Sequence, residues 1–248
     1  MNVSLSQAAA AMNANSRWQE VIAENLATSS IPGARRQELS FSAVEAGLAP
    51  GALGASGVHY MMPASKPSIN FEQAVMRPTH TTTDLAIEGS GFFEVQLPNG
   101  SHAYTRDGEF QLNAQGQLVT KQGYPVMTDS GPLQVDSNNS SPLSVSPTGD
   151  AAQGADSKGK IHVVEFNDPR QLSVFGDGYF LADNATVKPG DSATSRVRQG
   201  FLEASNSSPT TEMAGLITAM RMFEANQKVM QAQDDRMGRV ISDLGNPS

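Results

Sequence analysis

Hydrophobic and polar positions follow three different rhythms along this chain. Between residues 4 and 27, Leu5, Ala8, Ala9, Met12, Ile22, Ala23 and Leu26 recur at steps that place them on one helix face. Asn15 and Gln19 interrupt that stripe, and Trp18 and Val21 lie at its edge. Pro32 disfavours helical geometry in the residue before it, so this helix ends near Ser29. Between residues 84 and 127 the rhythm shortens to two. Phe93, Val95 and Leu97 alternate with Glu94 and Gln96, which predicts a half-buried strand, and Phe110 and Leu112 repeat the pattern. Turn signals separate these runs: Pro98-Asn99-Gly100, Asp107-Gly108 and Asn113-Ala114-Gln115-Gly116, residues that tolerate positive φ. Between residues 209 and 244 the rhythm becomes a strict seven, carried by Leu216, Phe223, Met230, Met237 and Leu244. Met213, Met220 and Ile241 form the neighbouring column, into which Gln227 and Asp234 intrude. A seven-residue repeat sustained over several heptads predicts a coiled-coil seam. Ser208 supplies a cap, Pro209 suits the first helical position, Glu212 complements the dipole, and Gly245 and Pro247 end the helix.

The segments between these rhythms are irregular. Residues 28–80 are rich in Ser, Gly, Ala and Pro, including GLAPGALGASG at 47–57, and read as an extended connector with one strand near Arg36–Phe41. Residues 128–160 read as a long polar loop with one strand around Leu143–Val145, after which KIHVVEF, GYFLAD and RVRQGFLEAS resume strand character. Gly89-Ser90-Gly91-Phe92-Phe93 is echoed by Gly176-Asp177-Gly178-Tyr179-Phe180, each opening a strand. The expected fold is mixed α and β. Residues 1–30 and 209–248 form a coiled-coil-like terminal helical domain, 31–80 an extended connector, and 81–208 a β-rich domain of short antiparallel strands.

Composition narrows the chemistry. The net charge is −8 and no basic cluster exceeds the pair Arg35-Arg36, which argues against phosphate-driven nucleic-acid binding. The absence of cysteine excludes disulfides and thiolate metal sites. No apolar run is long enough to span a membrane, and the first residues lack the charge and apolar stretch of a cleavable signal, so export would use another route. His59, His80, His102 and His162 share no ligand spacing, and EGSGFF lacks the third glycine and the following helix of a dinucleotide loop. No catalytic, cofactor or metal residue is expected.

The apolar terminal stripes then need another explanation. Burying five heptad side chains yields about 8–15 kcal/mol. Ordering each terminal residue costs on the order of 1–2 kcal/mol before hydrogen bonds offset it. One intramolecular helix pair is marginal, so the stripes are expected to be buried by neighbouring subunits. Candidate interface residues are Leu5, Met12, Ile22, Asn25 and Leu26 on the first helix, and Met213, Leu216, Met220, Phe223, Met230, Met237, Ile241 and Leu244 on the last. Readings of another class are a secreted β-rich binding protein or an enzyme with accessory helices.

Three motifs resemble the rod and hook axial proteins of the bacterial flagellum. SLSQAAAAMNANSRWQEVIAENLATSSIPG carries the N-terminal pattern through Met12, Asn13, Val21, Ile22, Ala23, Asn25, Leu26, Ala27 and Gly33. DLAIEGSGFFEVQLPNGSHAYTRDGEFQLNAQGQLVTKQGYPV is similar to the central rod motif. The segment beginning RQGFLEASNSSPTTEM matches the C-terminal pattern through Gly200, Leu202, Glu203, Ser205, Asn206, Glu212, Met213 and Lys228. The resemblance covers nearly the whole chain. It departs at Ala34, Arg35 and Arg36, where the family carries an aromatic and then a lysine, and the connector is short for a distal rod subunit. Those departures favour a proximal-rod subunit; a distal-rod or hook-type subunit is the alternative. The resemblance implies a structural subunit of the basal-body rod that polymerises helically through its terminal helices and transmits torque from motor to hook. It implies partners in other rod proteins, hook-side subunits and the surrounding rings, export by the flagellar type III apparatus without a cleaved signal, and no cofactor.

Overall fold

The computed structural model describes residues 3–48, 59–136, 139, 141–176, 178–183, 187–192 and 194–245; side chains of 3–7, 43–48, 59–64, 191, 240, 241 and 243–245 are not described. Two compact units result. One comprises residues 1–26, 37–68 and 209–248, the other residues 27–36 and 69–208.

The first unit contains both long helices. α1 (Val3–Thr28) spans the expected N-terminal helix, and α2 (Pro209–Gly245) the expected C-terminal one, with Glu212 in its first turn. α2 has 37 residues and is therefore about 55 Å long at ~1.5 Å per residue. The connector differs from expectation. Instead of one short strand it forms β1 (Gln37–Leu48) and β2 (His59–Ile69), paired as a two-stranded sheet, with most of GLAPGALGASG outside the described residues. Small residues mask strand propensity in a local reading, but the ladder is satisfied by the returning segment. Its start is fixed by Asn25: the side-chain amide donates to the Gln37 carbonyl at 2.8 Å and accepts from the Gln37 N–H at 2.8 Å. Trp18 of α1 meets Phe41 of β1 edge-on, ring centroids 6.3 Å apart.

Among its described residues, the second unit holds the last residues of α1, one 3₁₀ turn at Pro169–Gln171 and otherwise short strands. Its strands are β3 (Met76–Pro78), β4 (Leu85–Glu88), β5 (Phe92–Gln96), β6 (His102–Thr105), β7 (Gln111–Leu112), β8 (Leu118–Val119), β9 (Met127–Thr128), β10 (Gly131–Pro132), β11 (Leu143–Val145), β12 (Asp150–Gln153), β13 (Asp156–Lys160), β14 (Val163–Phe166), β15 (Ser173–Phe175), β16 (Tyr179–Leu181), β17 (Pro189–Asp191), β18 (Arg196–Gln199) and β19 (Phe201–Glu203). An antiparallel six-stranded sheet, ordered β15-β16-β6-β5-β14-β17, forms its centre. β11, β12 and β13 make a three-stranded meander, and β18 pairs with β4 and β19 with β3.

β5 is not half-buried as its alternation suggests. Phe93 and Val95 enter one apolar cluster, with Leu85, Ile87, Phe110 and Ile161, while Phe92 enters a second on the other face, with Tyr104, Phe166 and Phe180. A central strand covered on both faces buries both sets of side chains, and Glu94 among them is only 8% exposed. The two glycine-aromatic echoes open β5 and β16, which flank β6; Phe92 and Phe180 meet edge-on at 5.8 Å, and Asp177 lies outside the described residues. Leu112, expected to alternate with Phe110, is exposed, since β7 is a two-residue strand beyond the core. The long loop expected at 128–160 contains the anticipated β11, and also β12 and β13, whose sequences DAAQ and DSKGK are too polar and glycine-rich to read as strands.

Candidate assembly interface

α1 turns one face inward. Asn15, Ile22 and Asn25 are buried there, while Ala9 and Ala23, expected on the stripe, are exposed. Met12 and Leu26 are half-buried. The polar positions that interrupt the sequence stripe are therefore part of the covered face, and Asn25 is occupied within the chain by Gln37. On α2, Leu216, Phe223 and Met230 of the seven-residue column are half-buried and form its inward stripe, while Met237 of the same column is exposed. Their companion column is not Met213 and Met220. It is Glu212, Ala219, Asn226 and Gln233, of which Ala219 is fully buried. Small side chains explain the choice. A Cβ placed on Gly215 would lie 3.5 Å from Ile22 Cδ1, so Gly215 lets α1 approach where methionine would hold it away. Leu5, Ile241 and Leu244 lie outside the residues whose side chains are described.

The displaced column is exposed. Met213, Ile217 and Met220 on one side of the inward stripe and Met222 and Val229 on the other are 51–55% exposed, and Met237, in the seven-residue column itself, is 48% exposed. The heptad pattern marks Met213, Met220 and Met237 but not Ile217, Met222 or Val229. Those three sit one residue beside Leu216, Phe223 and Met230, and a search restricted to two seam columns passes over them.

A second arrangement, inside the β-rich unit, joins all three sequence motifs. Glu203 on β19 accepts from Arg35 Nη1 at 2.8 Å through Oε1 and from Arg106 Nη1 at 3.3 Å through Oε2. The Ala74 N–H donates to the same Oε1 at 2.8 Å. Arg106 also donates to the Gly89 carbonyl at 2.7 Å, and its guanidinium lies 4.9 Å from the Phe92 ring centroid. All three charged side chains are at most 2% exposed. Burial and the neighbouring Arg35 charge lower the Arg106 pKa to about 10, so its guanidinium remains charged at neutral pH. Arg35 Nε and Nη2 and Arg106 Nε have no protein partner, so one carboxylate serves two cations. Glu94 holds a different pair: His102 Nδ1 lies 2.7 Å from Oε1, and His162 Nδ1 meets Oε2. Two of the four histidines thus share a partner that their sequence spacing did not disclose, because β5, β6 and the start of β14 bring them together. Among the described residues no group of three or more His, Cys, Asp or Glu is placed to hold a metal.

Gly33 shows why the N-terminal motif carries a glycine at that position. Its φ is +69°, its N–H donates to the Glu203 carbonyl at 2.8 Å, and a Cβ there would sit 2.2 Å from the Arg106 carbonyl carbon. Gly33→Ala combines left-handed strain with overpacking and should cost about 2–5 kcal/mol in urea unfolding; a cost under about 1 kcal/mol would show that the loop relaxes freely.

Asp107 gives the unit a pH signature. Burial pushes its carboxyl from 3.8 up to about 6, against hydrogen bonding from the Glu109 N–H at 3.0 Å. The folded chain then holds the proton more tightly than the unfolded chain. Its stabilising contribution is complete below the unfolded pKa and is lost as pH rises through that of the folded state. The melting temperature should therefore carry a downward component between about pH 4 and pH 6. Asp107→Asn keeps the acceptor and should remove that component; identical pH profiles for the two proteins would refute the assignment.

Long helices at both chain ends, an apolar flank exposed on one of them and a β-rich unit between them define a structural, assembly-forming class of protein. Comparison with known proteins narrows that class. Residues 86–152 match the flagellar hook protein FlgE/F/G D1 domain, and residues 198–244 match the flagellar basal body rod FlgEFG protein C-terminal region. The chain is 37% identical over 177 residues to the flagellar basal-body rod protein FlgG of Borreliella burgdorferi, covering 68% of this chain and 67% of that one. It is 35% identical over 231 residues to FlgF of Caulobacter vibrioides, covering 92% of each, and 32% identical over 233 residues to FlgF of Escherichia coli, covering 89% and 90%. The chain belongs to the flagellar basal-body rod proteins of the FlgF/FlgG type.

Proposed function

We propose that this protein is a structural subunit of the flagellar basal-body rod and assembles with other axial components through its terminal helices. The observation that carries this reading is the exposed apolar flank on each side of the inward stripe of α2. Ile22 of α1 approaches the inward stripe at Gly215, and the flanks would provide surfaces for helices of neighbouring subunits, as wide apolar faces do in multi-helix packings. In this reading the terminal helices form a coiled-coil-like axial core, the β-rich unit faces outward, and the assembly carries torque toward the hook. Residues 1–30 and 209–248 act as the core, 31–80 as the connector and 81–208 as the outer domain. Leu5, Ile241 and Leu244 extend the interface along the two helices. Export proceeds through the flagellar type III apparatus without a cleaved signal, and the partners are rod proteins, hook-side subunits and the surrounding rings. The proximal rod is favoured over the distal rod by Ala34-Arg35-Arg36 and by the short connector.

The test is to delete the gene, isolate basal bodies, and restore the chain with an internal tag in the β-rich unit. Cells without it should lack filaments, and electron microscopy should place the tag on the rod between motor and hook. Normal filaments in the deletion strain, or a tag away from the rod, would overturn the reading.

A further inference from the structure

Large apolar side chains exposed on a helix can be of several kinds, and the kind decides their chemistry. Of the six on α2, four are methionine: Met213, Met220, Met222 and Met237. The chain has no cysteine, so methionine thioethers are its only oxidisable sulfur. The other methionines with described side chains, Met12, Met76, Met127 and Met230, are half-buried. Among the described side chains, the thioethers most accessible to two-electron oxidants therefore lie on one helix, on the surface that the proposed function assigns to assembly.

We propose that Met213, Met220, Met222 and Met237 form an oxidation site for peroxide-class oxidants, and that sulfoxide formation there blocks incorporation of the unassembled subunit; the second half rests on the rod-subunit reading. A thioether lone pair attacks one oxygen of hydrogen peroxide, and the O–O bond breaks. Sulfur loses two electrons and becomes the sulfoxide, while the other oxygen leaves as water after proton transfer. The product carries a polar S=O acceptor and a new stereocentre where an apolar, adaptable chain had been. On a free subunit that oxygen is solvated. In an apolar interface it must be desolvated with no donor facing it, which opposes docking. The change is reversible: two thiols of a methionine sulfoxide reductase system return the sulfur to the thioether and leave as a disulfide and water.

Purified full-length chain treated with graded hydrogen peroxide and mapped by peptide mass spectrometry should show the four α2 sites oxidising at least about threefold faster than Met76 and Met127, as thioether oxidation follows exposure. Rates equal within error overturn the site. In a strain lacking the chain, induced wild type should yield at least about threefold fewer new filaments under sublethal peroxide than a Met213→Leu, Met220→Leu, Met222→Leu, Met237→Leu variant, which keeps the apolar surface but not the sulfur. Equal losses overturn the switch. If the fourfold variant does not assemble even without peroxide, the deciding measurement is an exported methionine sulfoxide reductase, which should restore wild-type filament number; no restoration overturns the proposal. Filaments forming without the chain at all would refute the rod reading, while the oxidation map would stand or fall by itself.

Discussion

Glu203→Ala should unfold the β-rich unit more readily than any other single change considered for this protein. The substitution removes the one carboxylate between two guanidiniums, each at most 2% exposed. It also frees the Ala74 N–H, which donates to Glu203 at 2.8 Å. Breaking a buried pair from one side leaves uncompensated charge, at a typical cost of about 3–5 kcal/mol. With roughly 2–4 °C per kcal/mol for a unit of this size, the melting temperature should fall by about 6–20 °C. Arg35→Met tests the same account from the other side. It deletes the cation whose Nε and Nη2 have no protein partner, leaves Arg106 and the Ala74 N–H on Glu203, and balances the remaining charges. Its cost should be less than half that of Glu203→Ala. Equal costs would mean that packing volume, not charge, holds the cluster.

This cluster also shows where sequence reading ends. Arg35 and Glu203 are 168 residues apart, and neither carries a periodic signal. Sequence alone placed Arg35 as a departure from a family pattern and Glu203 as part of a matched one, with nothing to join them. What was legible was local: the extent of α1 and α2, the turns around Gly100 and Gly116, and the existence of β5, β6, β11 and β14. Hydrophobic spacing and turn chemistry act over a few residues, and they sufficed there. The β1–β2 pair and β12–β13 were not legible, because their order comes from the strand each pairs with rather than from the side chains of either strand. The α2 face was half legible. A repeat of seven fixes one column, but the side on which the second column falls depends on what approaches, and Gly215 admits Ile22 through its small size.

That distinction separates two substitutions on neighbouring positions of α2. Met220 is 52% exposed, and Phe223, three residues on, faces inward. Met220→Glu places a charge in water as long as the chain is free. Helix content and the melting of the β-rich unit should stay at wild-type values, with any change within about 0.5 kcal/mol. In an assembled rod the same carboxylate would be desolvated without a partner, at a cost of several kcal/mol, so the chain should be exported but absent from purified basal bodies, and the cells non-motile. Phe223→Asp acts earlier. It puts the charge on the covered stripe, so the helical signal of the free chain should drop while the β-rich unit melts as before, and incorporation should fail as well. Measuring both variants by circular dichroism and by immunoblotting of basal bodies distinguishes outward from inward faces. Normal incorporation of Met220→Glu would remove the exposed flank from the interface, and an unchanged helical signal for Phe223→Asp would show that the inward stripe contributes nothing before assembly.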